Sequence, residues 1–418
     1  MRQNQFVRVL PALTLTLALA SSAFAGGTKG SFTLLGPTGL TPSDASSNGQ
    51  VVAGYNGSSF WYWTRDTGLV TIGGISPSSG GAGSAAVSND GTRIGYTVIN
   101  PQTGKTEGAF YDIASATTTR IGSFGFSCDL AATSCWGMSG NGNMMVGLGW
   151  HNQCAARAYT YTQAGGLVDL GTTVPGRSTR ANGCDFDGDV VVGWQDLVDG
   201  FRQGAVWKNG VQRLITTTTG AAVGEAGAVS GDGKWVIGLG SSANSFRGWR
   251  WSETTGYIAL PASPIPSLPR GFPTGISDDG SRIVMFYRTG FPPATAGEGY
   301  LWVNGTITPL ETIAAQAGIT LTPDIRMALP LGMSSDGYTI VGTARTAAGI
   351  QGFILDLPRP APPCPADLNG DGEVAAQDLA ALLSAWGTAK PSEADLNGDG
   401  TVGAQDLAVL LSAWGLCQ

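Results

Sequence analysis

Between residues 26 and 357 the chain alternates short apolar segments with glycine-containing turns, and one pattern recurs seven times. Each copy passes from an apolar or small residue through a D-G or N-G turn into a valine-rich strand that usually ends in Gly. The copies start at Ser43, Ala86, Gly137, Gly183, Ala228, Gly275 and Gly332; AVSNDGTRIGY and AVSGDGKWVIGL are representative. An aromatic strand follows each one, beginning at Phe60, Ala109, Ala158, Ala205, Gly248, Gly299 and Gly352. D-G and N-G turns favour tight two-residue hairpins, so the flanking segments are expected to pair as antiparallel strands. A further strand follows in six copies, at Leu69, Thr119, Leu167, Val211, Tyr257 and Ile307. The seventh copy runs into prolines instead, and the missing strand reappears at the other end of the body as FTLLG, Phe32 to Gly36. Four strands per repeat, seven repeats and a displaced strand predict an all-β seven-bladed β-propeller over 26–357 whose two ends complete one blade. A pair of β-sandwiches or an open β-array is the alternative architecture.

A different periodicity governs residues 364–418. The segment DLNGDGEVAAQD, Asp367 to Asp378, returns 28 residues later as DLNGDGTVGAQD, Asp395 to Asp406. Each is followed by an apolar stripe at offsets 0, 3, 4 and 7: Leu379, Leu382, Leu383 and Trp386, then Leu407, Leu410, Leu411 and Trp414. This spacing predicts two short helices, stopped at Gly387 and Gly415, whose stripes pack face to face. The loops carry side-chain oxygens where a twelve-residue calcium loop needs them, at positions 1, 3, 5 and 12. These are Asp367, Asn369, Asp371 and Asp378 in the first loop, and Asp395, Asn397, Asp399 and Asp406 in the second. Gly372 and Gly400 occupy the sharp turn at position 6, Glu373 and Thr401 offer backbone carbonyls at position 7, and Ala375 and Gly403 leave room for a water at position 9. Two calcium ions are expected. The position-12 aspartate is shorter than the usual glutamate and reaches the ion less fully.

The pattern CPADLNGDG…LLSAWG…C resembles a type I dockerin, a loop–helix duplication of EF-hand-like calcium loops, over residues 364–418. The resemblance implies a small all-α module that folds with calcium and docks onto a cohesin-like or other extracellular anchoring protein. Loop positions 10 and 11, which select the partner in that family, are Ala376, Gln377, Ala404 and Gln405 here, not the common Ser/Thr pair. The propeller repeat is similar to the HAF-type extracellular repeat, which implies architecture and export.

Composition adds a compartment. Arg2 and Arg8 precede an apolar run from Val9 to Ala20 and an A-x-A pattern at Ala23–Ala25, so residues 1–25 read as a secretory signal peptide. No later stretch is long enough for a transmembrane segment, and a secreted or cell-surface protein is expected. Six cysteines fit an oxidising compartment and allow fifteen pairings. Cys364 and Cys417 flank the tail module and are expected to clamp it. Cys128, Cys135, Cys154 and Cys184 are expected to form two more bridges. The net charge of −7 resides wholly in the tail, where eight acids face one base from Cys364 onward. The rest is balanced, so there is no basic footprint for nucleic acid. Pro358 to Pro363, PRPAPP, reads as a stiff linker.

Little in the body stands out as catalytic. Asp90, Asp187, Asp232, Asp279 and Asp336 recur at the hairpin turn and read as turn residues, and the repeated aromatics read as inter-blade core. The segment Asp185 to Asp196 imitates a calcium loop but has Val190 at position 6. His151 lacks a triad-like neighbourhood and reads as a surface or packing residue. Asp129, Asp196, Asp199, Glu225 and Glu298 are undistinguished carboxylates. The expected function is therefore a secreted calcium-binding protein whose tail attaches a propeller interaction domain to an extracellular partner. The alternatives are a carbohydrate-active enzyme, with a polysaccharide as ligand, and a purely structural or display protein.

Overall fold

The computed structural model describes residues 30–75, 82–128, 131–151, 154–200, 202–290, 297–360, 364–369, 372–387, 394–397 and 399–417. The expected signal peptide, part of the proline-rich linker, Asp129 and Asp371 lie outside the described residues. Two compact units divide between Pro358 and Arg359. In the first, the described residues form seven antiparallel four-stranded sheets. Six are sequential meanders; blade 1, for example, comprises Thr41–Ala45, Val51–Tyr55, Phe60–Thr64 and Gly68–Gly73. The seventh takes Arg326–Met333, Thr339–Thr346 and Gly349–Asp356 from the end of the body and Ser31–Leu35 from its start. Ser31 pairs with Asp356 and Leu35 with Gly352, which closes the ring. The body is a seven-bladed β-propeller.

The repeat motif is legible in the hydrogen bonds. In the blade hairpins Ser accepts a backbone N–H and donates to the turn acid, as in Ser88 Oγ to Asp90 Oδ1 (2.6 Å) and Ser230 Oγ to Asp232 Oδ1 (2.6 Å). The same acids accept a backbone N–H two residues on, which makes them Asx-type turn residues. Backbone bonds between turns tie successive blades, for example Asn89 N to Gly140 O (2.7 Å) and Asp278 N to Ser335 O (2.7 Å). The glycine that ends the valine-rich strand has a steric cause. The innermost strand bulges in six blades, for example between Ala181 and Gly183, and the bulge presses its backbone onto that glycine. A Cβ at Gly193 would collide with the Arg180 carbonyl oxygen.

Apolar side chains fill the spaces between blades. Phe60, Ile94 and Tyr96 form the layer between blades 1 and 2, and Ile237, Ile283, Met285 and Tyr287 that between blades 5 and 6. One helix inside the body, α1 (Leu310–Gln316), has no counterpart in the sequence expectations. Leu310 and Ala314 are fully buried against Met327 and Phe353, and at seven residues the helix is too short to stand out by periodicity.

The cysteine expectation needs one correction. Cys128 and Cys154 are bonded, with Cα atoms 5.0 Å apart, and so are Cys364 and Cys417, 5.8 Å apart. Cys135 and Cys184 are free thiols. They belong to different layers: Cys135 packs with Met145 and Tyr159 in the space shared with blade 2, whereas Cys184 packs toward Val146 and Ala158 in the space between blades 3 and 4.

The second unit contains α2 (Ala376–Ser384) and α3 (Ala404–Ser412). Its core consists of three residue pairs 28 positions apart: Ala366 and Ala394, Val374 and Val402, Leu382 and Leu410. Each helix ends against the other copy's loop, since Gly387 N donates to Val402 O (2.8 Å) and Gly415 pairs with Val374. The duplication in sequence thus becomes a local pseudo-two-fold. The predicted stripes do not pack as wholes. Leu382 and Leu410 are buried and Leu379 and Leu407 half-buried, but Leu383 and Leu411 are each 51% exposed and Trp386 and Trp414 45% and 49%. The helices end at Ser384 and Ser412, so each tryptophan falls beyond the last helical turn, and Leu383 is rotated about 100° from Leu382.

Candidate functional site

In each tail loop the first aspartate closes the turn. Asp367 Oδ2 accepts the Gly372 N–H at 2.8 Å and Asp395 Oδ2 that of Gly400 at 2.9 Å. Both glycines have φ near +90°, which the sharp bend at position 6 requires. In the second loop Asn397 Nδ2 donates to Asp399 Oδ2 (2.9 Å), and Thr401 N donates to Asp399 Oδ1 (2.9 Å), so positions 3, 5 and 7 are drawn together. The last aspartate acts differently. Asp378 Oδ1 accepts the N–H groups of Leu368 and Asn369, and its Oδ2 that of Ala375; Asp406 repeats this with Leu396, Asn397 and Gly403. Each is the third residue of its helix and reaches back to the residue before the first turn, half of a capping box. A carboxylate has about four lone-pair sites, so three such bonds leave room for one more partner. Burial pushes the Asp378 carboxyl up, but its backbone bonds outweigh that and hold it below the usual range. At Asp406 the Gly403 N–H leads the same lowering.

This donor set fits a hard cation: carboxylate, amide and carbonyl oxygens, with neither sulfur nor imidazole. Asp367, Asn369, Asp395, Asn397 and Asp399 are the residues that would hold it, with carbonyls from Glu373 and Thr401. Asp378 and Asp406 can add one oxygen each. No group of three or more His, Cys, Asp or Glu suited to a metal occurs among the described residues.

The propeller holds a second site. A cavity of about 380 Å³ runs along its axis, lined by the innermost strands. Counting back from the turn glycines, the bulged position six residues earlier is Ser43, Trp136, Asn182, Gly227, Thr274 or Leu331; blade 2 has Ala85 at the same place, and all seven line the cavity. The next position is Gly or Ala in six blades and Asp44 in the first. Asp44 bridges blades by accepting the N–H groups of Ala45 (2.9 Å) and Val87 (2.8 Å), and burial raises its pKa to about 7 in spite of both bonds. Opposite chemistry gathers in blades 3 to 5. The Arg180 guanidinium lies 3.6 Å from the Trp136 ring centre, donates through Nε to Asn182 Oδ1 (2.7 Å) and pairs with Glu225 (3.1 Å). Burial lowers its pKa to about 10, Glu225 opposes that, and Arg202, itself 3.5 Å from Glu225, adds to it.

Sequence reasoning missed Asp44, Trp136, Arg180 and Asn182. For Asp44 the signal was an alignment of the seven repeats along the innermost strand, where the other six blades have Gly or Ala; the positions of Trp136, Arg180 and Asn182 vary from blade to blade and carry no such signal. Of the carboxylates singled out in the sequence, Glu225 lines the cavity, while Glu298 is tied to Arg345 (2.9 Å). His151 packs beside Phe124 and Phe126, at 6.0 and 5.4 Å between ring centres. Asp185 accepts the N–H groups of Gly188 and Val190 and is the turn residue of blade 4.

Residues 365–413 match the model of the dockerin type I domain. The tail is a dockerin. A dockerin implies a cohesin-type partner, and such domains typically bind calcium. No curated protein is a significant match. Among solved structures, the propeller resembles an oligogalacturonate lyase in complex with manganese: 14% identity, TM-score 0.52, covering 80% of this chain and 96% of that one. It also resembles oligogalacturonate lyase from Vibrio parahaemolyticus, at 13% identity and TM-score 0.50, covering 80% and 98%. TolB from Acinetobacter baumannii matches at 16% and 0.41; the similarity covers 77% of this chain and 64% of that one. At these identities the likeness is one of fold alone. No helix among the described residues is long and apolar enough to cross a membrane.

Proposed function

We propose that the protein is an exported adapter. Its dockerin, set by two calcium ions, fastens a propeller interaction domain to a cohesin-type extracellular partner. The observation that carries this reading is the pseudo-two-fold of the tail, which presents Leu383 with Trp386 and Leu411 with Trp414 as two matching exposed apolar pairs. Single exposed apolar residues are ordinary, but the same exposed Leu–Trp pair occurring twice on a module this small supports a docking surface. The acidic loops supply the calcium dependence: position 1 ties the turn and position 12 ties the loop to its helix, so an ion stabilises both at once.

Calorimetric titration of calcium into the full-length protein tests the ionic half. Two binding events are expected, and Asp367→Ala removes one of them. Surface binding to a panel of cohesin modules tests the docking half. Calcium-dependent capture is expected, weakened by the double change Leu383→Asp, Leu411→Asp. Capture that persists in excess chelator, or that ignores the double change, overturns the proposal.

A further inference from the structure

We propose that the central channel of the propeller is a binding site for a small carboxylate-bearing molecule, recognised by Arg180. Such a ligand is distinct from the dockerin's partner, so this inference stands or falls apart from the docking reading.

The argument starts from charge. Two guanidiniums, Arg180 and Arg202, share the single carboxylate of Glu225. Asp196 is acted on by both Arg202 and Arg177, so in this group three guanidiniums face the two carboxylates Glu225 and Asp196. The blade 4–5 edge of the channel therefore carries one uncompensated positive charge. Arg180 is the group exposed to the cavity, with its side chain 11% exposed, and its Nη1 makes no hydrogen bond among the described residues. A buried guanidinium short of acceptors favours an anionic one.

Its position is fixed in advance. Trp136 covers one face, Asn182 holds Nε and Glu225 holds Nη2, so little side-chain freedom remains to be lost when a ligand binds. Asn182 is in turn held by the Ala226 carbonyl (2.7 Å). Ser43, Ala85 and Gly227 also line the cavity and carry little or no side chain. Of the remaining acids of the channel, Asp44 lies within the innermost strand of blade 1, and Asp185 and Asp278 lie beyond the ends of those of blades 4 and 6; the charges that act on Arg180 are Glu225 and Arg202. A cavity of about 380 Å³ admits a molecule the size of a sugar acid or a dicarboxylic acid and excludes a folded partner.

The test is calorimetry of the full-length protein, calcium present, with sodium glucuronate, sodium succinate and glucose as probes. Both carboxylates should bind and glucose should not. Tighter binding of glucuronate identifies an acidic sugar as the source of the carboxylate, and tighter binding of succinate a simple organic acid; either supports the site. Arg180→Gln should weaken binding roughly ten- to hundredfold, the loss of a charged hydrogen bond. Gly227→Leu provides a second variant that spares the arginine. A Cβ there meets nothing closer than 3.7 Å, so the longer side chain enters the channel and should abolish binding. Absence of carboxylate binding at millimolar concentration, unchanged affinity in both variants, or equal binding of glucose and glucuronate overturns the proposal.

Discussion

Single side chains in this protein owe their roles to what the backbone leaves them to satisfy. Asp44 is the clearest case. It stands where other blades have Gly or Ala, and its folded pKa near 7 exceeds the unfolded value near 4. The folded state therefore binds the extra proton across that interval, and stability falls as pH rises from about 4 to 7. The propeller's melting temperature should decline over this range, and Asp44→Asn should flatten the decline; a slope unchanged in the variant refutes the assignment. The tail acids have the opposite sign. Asp378 and Asp406 are held below the usual range, so their contribution is complete above about pH 4 and disappears as pH falls toward their lowered folded values. Far-ultraviolet circular dichroism of the calcium-free protein should show tail helix lost only on that acid side. Gly193 is constrained by shape alone. Gly193→Ala must displace the Arg180 carbonyl and should cost roughly 1–3 kcal/mol in a denaturation experiment.

Helices and strands here are stabilised across elements, not by their own propensity. α2 and α3 have nine residues each, below the length at which an isolated helix holds in water. They depend on the Leu382–Leu410 core, on the loop ties and on the Cys364–Cys417 bridge. A bridge closing a loop of 53 residues is worth about 4 kcal/mol through chain entropy. Reduction, or Cys417→Ser, should therefore leave a tail that is helical only with calcium bound, as followed by circular dichroism with and without chelator. Leu382→Ala should cost about 2–5 kcal/mol, enough to unfold the apo module.

At the scale of the molecule, ring closure is the event on which the body depends. Ser31–Leu35 pairs with Gly352–Asp356, and Phe32 stacks on Phe353 with ring centres 6.0 Å apart. Deleting residues 31–36 should leave an exposed strand edge in blade 7, lower the melting temperature and promote aggregation, as read by calorimetry and light scattering. Much of this was legible in the chain. The seven turn motifs, the aromatic strands and the displaced FTLLG strand each act within a few residues, so blade number and closure follow from them. The calcium-loop oxygens and the glycines after each helix are local in the same way. Other features depend on distances that no local pattern encodes. Trp136, Arg180 and Glu225 lie on three different blades and meet only because the ring brings their innermost strands together. Cys135 and Cys184 stay apart because neighbouring blades bury them in separate layers. The Leu–Trp pairs of the tail face outward because two short helices have room to bury one leucine each and half-bury another. Local chemistry in the sequence decided what the parts are. The closing of the ring and the pairing of the two loops decided which side chains share a site, since contact between distant residues is a property of the folded backbone.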